Sequence, residues 1–459
     1  MATVKRIIVV LPGAMVARNW LSTGLLERLA REPDLAVTLV TADDKDADVA
    51  RRLGLAWEPM LRASGGLRTL QWRVKASYLL HLASVFRFNA IQRFRGAQQR
   101  LRQSRRLRGL ALRDGVPAYA IFGWPFATSS SALSTLLSLQ KSLWRTCAPV
   151  ARLFDRIDPA LLVVGHMQNS FVLPYALAAK SRGIPVLGAI GSWDQPTTKG
   201  PLVVHADRIL AQSRSVAGQL QRYHGVEPER VEVTGWLQMD PLVRPPTVSD
   251  RSDLLRSLGL SPRHRYILLG SSPERLGHNE PTIARDLAAT LARQADCSLV
   301  IRAHPNDRNW RERFGSLHAP PHVVVLGPEL ANMERMADQI RHAHAVLSPA
   351  GSILLDSAAL DRPAIALAFE NEDEPYDDRL ARRYEMEHWA ELIDSGGVLM
   401  ARTQADLERL VNEALDDPGL GAEGRIRLRE NHLAPLDGAV AERTVAAIRK
   451  AAGLEASVT

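Results

Sequence analysis

Several short stretches set polar side chains directly after apolar runs, where the end of a buried strand would present them. The stretch I-G-S-W-D-Q-P-T-T-K-G, residues 190 to 200, follows the apolar run Ile184-Pro185-Val186-Leu187. Asp194 is its only carboxylate, with Trp193, Thr197, Thr198 and Lys199 around it. A carboxylate so placed suits a general base that takes the proton of a substrate hydroxyl. His166 follows the run L-L-V-V-G and is a second candidate base. The alternative is a rigid loop anchored by Trp193, with Asp194 capping its turn. Lys199 is no phosphate-loop lysine, because the order Gly-x4-Gly-Lys-Thr is missing and T-K-G runs the other way.

In the second half of the chain the corresponding residues suit an anion. Ser348-Pro349-Ala350-Gly351-Ser352 lies between a strand pattern and a helix pattern. Gly351 lets a ligand approach the backbone, and Ser352 is in capping range of a helix whose first N–H groups favour a phosphate. Asp356, four residues on, shares the Ser352 face and is placed to accept ribose hydroxyls. In L-V-I-R-A-H-P-N-D, residues 299 to 307, Arg302 and His304 stand at i and i+2, on one face of an extended strand. Both can neutralise charge on a leaving phosphate. Ser271 and Ser272 follow the run Y-I-L-L-G in the same way. Each of these stretches also reads as an ordinary strand end with a helix cap.

The elements that must position these residues repeat as strand and helix. Arg6–Leu11 reads as a first buried strand rather than a signal peptide, Leu21–Ala30 as a helix and Ala36–Thr41 as a strand. The rhythm breaks over a helical insertion, about 59–155, with helices expected at about 67–113 and 129–154. It resumes with strands at Leu161–Val164, Ile184–Ala189, Arg208–Ala211 and Val231–Gly235. Residues 241–262 lie in a stretch, Asp240 to Pro262, that holds four prolines and reads as a linker. A second series follows, with strands at Tyr266–Gly270, Ser298–Ala303, Val323–Leu326, Ala345–Leu347, Ala364–Leu367 and Val398–Ala401. The expectation is an α/β protein of two Rossmann-like domains facing each other across a cleft. The domains are 1–240 and 263–436, with a separate C-terminal helix in 437–459.

Composition narrows the setting. The chain has 459 residues, 46% hydrophobic and 24% charged, with no apolar run of membrane-spanning length. Two distant cysteines, Cys147 and Cys297, fit a reducing cytoplasm and no metal spacing. The net charge of +8 comes from one segment. Between Pro59 and Arg113 there are 13 Lys or Arg and no Asp or Glu, which leaves the rest of the chain at −5. The Arg62–Arg113 segment suits an anionic membrane surface or an acidic polymer. Without an accompanying recognition motif, specific nucleic-acid binding is not expected.

The stretches V-T-G-W-L-Q-M-D, I-R-A-H-P-N-D and S-P-A-G-S-I-L-L-D-S-A-A-L-D-R-P-A-I-A-L together resemble the nucleotide-binding half of GT-B glycosyltransferases. The branch they resemble contains CDP-glycerol glycerophosphotransferases, capsule polysaccharide transferases and UDP-N-acetylglucosamine 2-epimerases. The likeness runs from about Leu161 to Ile448. It implies a GT-B fold, a UDP- or CDP-linked donor with no other cofactor and no metal, and a glycan or lipid-linked acceptor. It further implies that His304 and Ser352 contact donor phosphates and Asp356 the ribose, where the family usually has Glu. His166 stands where the epimerase pattern usually has Asp, which favours transfer over epimerisation.

Overall fold

In a computed structural model the chain is described over residues 4–61, 68–94, 129–245, 247–274, 279–294, 296–329, 332–370 and 380–454. Of the basic Arg62–Arg113 segment, 62–67 and 95–113 lie outside the described residues. The chain divides into two units. Residues 1–237 with 439–459 form the first, and residues 238–438 the second.

The first unit is built on seven parallel strands: β1 (Lys5–Leu11), β2 (Leu35–Thr41), β3 (Ala56–Pro59), β4 (Leu161–Val164), β5 (Val186–Ala189), β6 (Arg208–Ala211) and β7 (Val231–Val233). Their order is β3-β2-β1-β4-β5-β6-β7, with Val10 of β1 beside Val164 of β4. The apolar runs bury both faces of the sheet. Ile8, Val10, Leu162 and Val164 enter one core, and Ile7, Val9, Leu11, Leu161 and Val163 the other. Continuous Val, Ile and Leu without polar alternation is what a doubly covered parallel sheet requires.

The second unit has six parallel strands: β8 (Arg265–Gly270), β9 (Cys297–Arg302), β10 (Val323–Leu326), β11 (Ala345–Ser348), β12 (Ala364–Leu367) and β13 (Leu399–Ala401). Their order is β10-β9-β8-β11-β12-β13. Both units are therefore the expected Rossmann-like folds.

Four expectations need correction. The linker expected over 241–262 carries the helix Arg251–Ser257, and Leu254, Leu255, Leu258 and Leu260 are buried in a core of the second unit. The C-terminal helix Val440–Ala451 is no separate element, because Ala441, Val445, Ile448 and Ala452 complete a core of the first unit. Arg449 fastens it there, with Nη1 2.6 Å and Nη2 2.9 Å from the Asp34 carboxylate. The early helix begins sooner than expected and breaks in two, Ala14–Leu21 and Leu25–Arg31, at the left-handed Gly24. The helix expected over 129–154 is likewise two, Ser130–Trp144 and Ala148–Ile157, the second opening on Pro149.

Within the insertion, the basic helix Arg68–Ile91 packs against Ser130–Trp144. Ser77 receives the Trp144 indole N–H at 2.9 Å and the Gln140 amide at 3.4 Å. Among the described residues no helix is long and apolar enough to cross a membrane.

Candidate functional site

In parallel sheets, ligands lie beyond the carboxyl ends of the strands where the strand order reverses. In the second unit that point falls between β8 and β11. Leu269 pairs with Leu347, so Gly270 and Ser348 end side by side, and the Ser348 hydroxyl donates to the Gly270 carbonyl at 2.7 Å. Ser271 and the turn Ser348–Ser352 therefore lie side by side at that point.

The turn after β11 is tightly held. Ala350 has φ +53°, a region that few non-glycine residues adopt, and its N–H donates to the phenol oxygen of Tyr384 at 2.6 Å. Tyr384 is buried and its hydroxyl donates to the Leu367 carbonyl at 3.1 Å. A side chain at Gly351 would put its Cβ 2.4 Å from the Ser348 hydroxyl. Ser352 is exposed at the cap position of the helix Ile353–Ala359, yet its hydroxyl makes no capping bond. Asp356, one turn in, is 2% exposed and accepts the Gln238 amide at 2.8 Å. That contact commits one of its oxygens inside the protein.

The loops after β8 and β9 are joined to each other. The backbone N–H of His304 donates to the Ser271 hydroxyl at 3.0 Å, and the Ser271 N–H to the Arg302 carbonyl at 3.0 Å. His304 Nδ1 accepts the Asn306 N–H at 3.0 Å, which in the neutral ring leaves the proton on Nε2. Arg302 is not with it. Its guanidinium is buried against the Gln339 side chain and the Glu329 carbonyl, both at 2.9 Å, and burial lowers its pKa. The strand ends at Arg302, so the two-residue alternation stops short of His304. Ser272 turns inward, donating its N–H and hydroxyl to the Glu280 carboxylate at 2.9 and 2.6 Å.

In the first unit the order reverses between β1 and β4, and His166 follows β4 directly. Its Nδ1 accepts the Gln168 N–H at 3.3 Å. Burial pushes its pKa down to about 3. Lys199 and His81 lower it too, and Asp194 acts in the opposite direction. The imidazole is therefore neutral at physiological pH and weakly basic. The 190–200 loop stands beside it. Asp194 accepts the Ser192 hydroxyl at 2.6 Å and the Thr198 hydroxyl at 2.9 Å, with Lys199 Nζ 4.0 Å away. Thr197 is fully buried, Trp193 half-buried and Lys199 exposed.

That loop is clamped from two sides. The Gln168 amide donates to the carbonyls of Gln195 and Gly200, at 3.0 and 2.5 Å. Gly200 has φ +81°, and a Cβ there would stand 2.6 Å from Val85 of the basic helix. His81, one turn before Val85, brings a second imidazole toward His166 from the same helix, its pKa lowered to about 4 by burial. A cavity of about 30 Å³ lies nearby, bordered by Asn19, Trp20, Gly191, Gln212, Thr234 and Trp236, and none of the candidate catalytic or binding residues named from sequence lines it.

The structure thus brings together Ser271, Ser348 and His304 in one unit, and His166, Asp194, Thr198 and Lys199 in the other. It turns Arg302, Ser272 and Asp356 toward partners inside the protein. Sequence reasoning missed Tyr384, Glu280, Arg313 and His81. Glu280 precedes Pro281 at a helix start, a readable sign of a first-turn carboxylate. The other three carry no local signature.

No family model matches the chain. The D-inositol 3-phosphate glycosyltransferases of Mycobacterium sp. strains KMS and MCS are each 25% identical to it over 260 residues, 52% of this chain and 53% of theirs. The chain thus spans about half the length of the curated relatives it matches. Among solved structures it is similar over 98% of its length to a Staphylococcus aureus MnaA–UDP co-structure, 97% of which is covered, with TM-score 0.59 and 15% identity. It is similar over 97% of its length to all of the UDP-GlcNAc 2-epimerase from Neisseria meningitidis bound to UDP-GlcNAc, with TM-score 0.56 and 13% identity. A glycosyltransferase from Rickettsia africae matches over 98% of both chains with TM-score 0.53 and 8% identity. The chain has the GT-B fold, the fold of glycosyltransferases and UDP-N-acetylglucosamine 2-epimerases.

Proposed function

We propose that this chain is a GT-B transferase that moves a sugar, or a glycerol-phosphate, from a UDP- or CDP-linked donor to a cell-surface glycan or lipid-linked acceptor. The observation that carries the reading is the convergence of Ser271, His304 and the Ser348–Ser352 turn at the strand-order reversal of the second unit. Backbone N–H groups of that turn and His304 would meet the diphosphate charge. Asp194 is the candidate base for the acceptor hydroxyl, with His166 as a neutral hydrogen-bonding neighbour. Trp193, Thr197, Thr198 and Lys199 belong to the loop that would border the acceptor.

Melting of the protein with UDP, CDP, GDP, CMP and ADP tests the donor site. A ligand at 100 times its dissociation constant stabilises by about 2.7 kcal/mol. One nucleotide is expected to raise the melting temperature, and His304→Ala and Ser352→Ala to abolish the rise. No shift with any nucleotide would leave a non-catalytic module on this fold.

The solved neighbours named as epimerases support a second reading, a UDP-sugar 2-epimerase. With UDP-GlcNAc as substrate, an epimerase yields the 2-epimer, while a transferase releases UDP only when an acceptor is present. Product analysis by NMR separates them.

We also propose a cytoplasmic protein that rests on the inner membrane face through the Arg62–Arg113 segment. The basic helix within it exposes Trp72, Lys75 and Tyr78. Co-sedimentation with anionic vesicles, lost at high salt and in Lys75→Glu with Trp72→Ala, is the expected result.

A further inference from the structure

Behind the loops assigned to the donor lies a group of charged side chains sealed from water. Glu280 is fully buried, and the side chains of Arg313 and Asp307 are 6% and 1% exposed. Glu280 opens the helix Glu280–Leu291, and its carboxylate takes three donors: the Ser272 N–H at 2.9 Å, the Ser272 hydroxyl at 2.6 Å and Arg313 Nη2 at 2.9 Å. Arg313 also donates to the Ser272 carbonyl at 2.9 Å and to the Asp307 carboxylate. Asp307 in turn accepts the Asn309 N–H at 3.1 Å.

These bonds form a brace. Ser272 belongs to the loop after β8, Asp307 to the loop after β9, and Glu280 with Arg313 spans the two. The Ser271–His304 bond lies alongside. Glu280 also acts electrostatically on Tyr384, the residue that holds the turn after β11. One buried carboxylate thus stands behind the loops after β8 and β9.

A buried ion pair adds little net stability compared with apolar packing, although breaking it is costly. Its main effect here is geometric. We propose that Glu280 and Arg313 are positioning residues for donor binding, and that their ionised pair holds Ser271, Ser272 and His304 in the arrangement that receives a nucleotide diphosphate. This rests on the donor site assigned above.

The charge state matters because protonation removes the charge that Arg313 pairs with and turns one accepting oxygen into a donor. Burial raises the Glu280 pKa to about 7, against the opposing pull of Ser272 and Arg313. The charged group facing it is Arg313, with Asp307 beyond, and its own charge reaches the phenol of Tyr384. Donor affinity should therefore weaken as the pH falls through the neutral range.

The test is calorimetric titration of the full chain with UDP-N-acetylglucosamine, whose diphosphate diester has no group titrating near neutrality. The parent protein is expected to bind roughly tenfold more tightly on the alkaline side of neutrality than on the acid side. Glu280→Gln should bind at the weaker level and lose the gain on the alkaline side. Arg313→Met should bind weakly at every pH, and Arg313→Lys should recover part of the affinity. If Glu280→Gln fails to fold, the Arg313 pair decides alone. Parent-like affinity and pH profile in folded variants would overturn this inference and leave the donor site standing. No binding by the parent at any pH would overturn both.

Discussion

The phenol of Tyr384 accepts the backbone N–H of Ala350 at 2.6 Å, and so holds a non-glycine residue at φ +53° in the turn after β11. Two residues 34 positions apart thereby decide how the backbone of Ser348–Ser352 is presented. Tyr384→Phe leaves that half-buried N–H without its acceptor, at a cost of about 1 kcal/mol. Chemical denaturation should show that loss, and nucleotide affinity should fall with it. Unchanged affinity would mean that the turn keeps its shape without the phenol.

A prediction for the first unit concerns Gly200. A methyl group there meets Val85, and the backbone at φ +81° strains any other residue. Gly200→Ala is expected to lower stability by about 1–3 kcal/mol. Val85→Ala in the same chain should restore part of the loss by relieving the contact, leaving the backbone strain. Full recovery in the double variant would locate the whole cost in packing.

The candidate base can be tested by pH. His166 is pushed down to about 3, so it is already a neutral imidazole throughout the neutral range. Under the proposed transfer reaction, the rate should therefore show no inflection from His166 near the ordinary histidine pKa, and His166→Asn should keep the profile of the parent. Asp194→Asn, by contrast, should cost about 100-fold or more in turnover if Asp194 removes the acceptor proton. Equal rates for parent and Asp194→Asn would return that residue to a purely structural role in its loop.

The tie between Asp34 and Arg449 gives a stability prediction with a definite sign. A hydrogen bond from Arg449 holds the Asp34 carboxyl below its ordinary value of 3.8. The folded state thus favours the ionised form. The contribution is fully present above that ordinary value and is lost as pH falls through the lower, folded one. Acid unfolding of the parent should steepen below the ordinary carboxylate range, and Arg449→Ala should flatten that limb. The variant should also release the C-terminal helix to protease. A parent-like acid limb in Arg449→Ala would show that the helix is held by its apolar face alone.

The sheets were legible because parallel strands covered on both faces need unbroken apolar runs, and R-I-I-V-V-L or L-L-V-V contain little else. The polar residues just beyond those runs were legible for the same reason, and His304, Ser271 and Ser348 do meet at a strand-order reversal. What sequence spacing did not show was direction. Arg302 and Asp356 lie near the strand ends, but their side chains turn toward Gln339, Glu329 and Gln238, residues far away in sequence. Arg313 sits in W-R-E-R-F, which resembles any exposed helical turn until Glu280 and Asp307 close around it. The prolines from Pro241 to Pro262 suggested a linker and masked the leucines of Arg251–Ser257. Prolines bounding a short helix and prolines in a free connector give the same composition.

The return of the helix Val440–Ala451 to the first unit sets the order in which the two units receive their residues. Residues 238–438 are contiguous, whereas the first unit needs both 1–237 and 439–459. On the ribosome the second unit is complete while the first still lacks Ala441, Val445 and Ile448. Two units that read as successive halves are thus interleaved in sequence, and a change in Val440–Ala451 is felt beside β1 and β2.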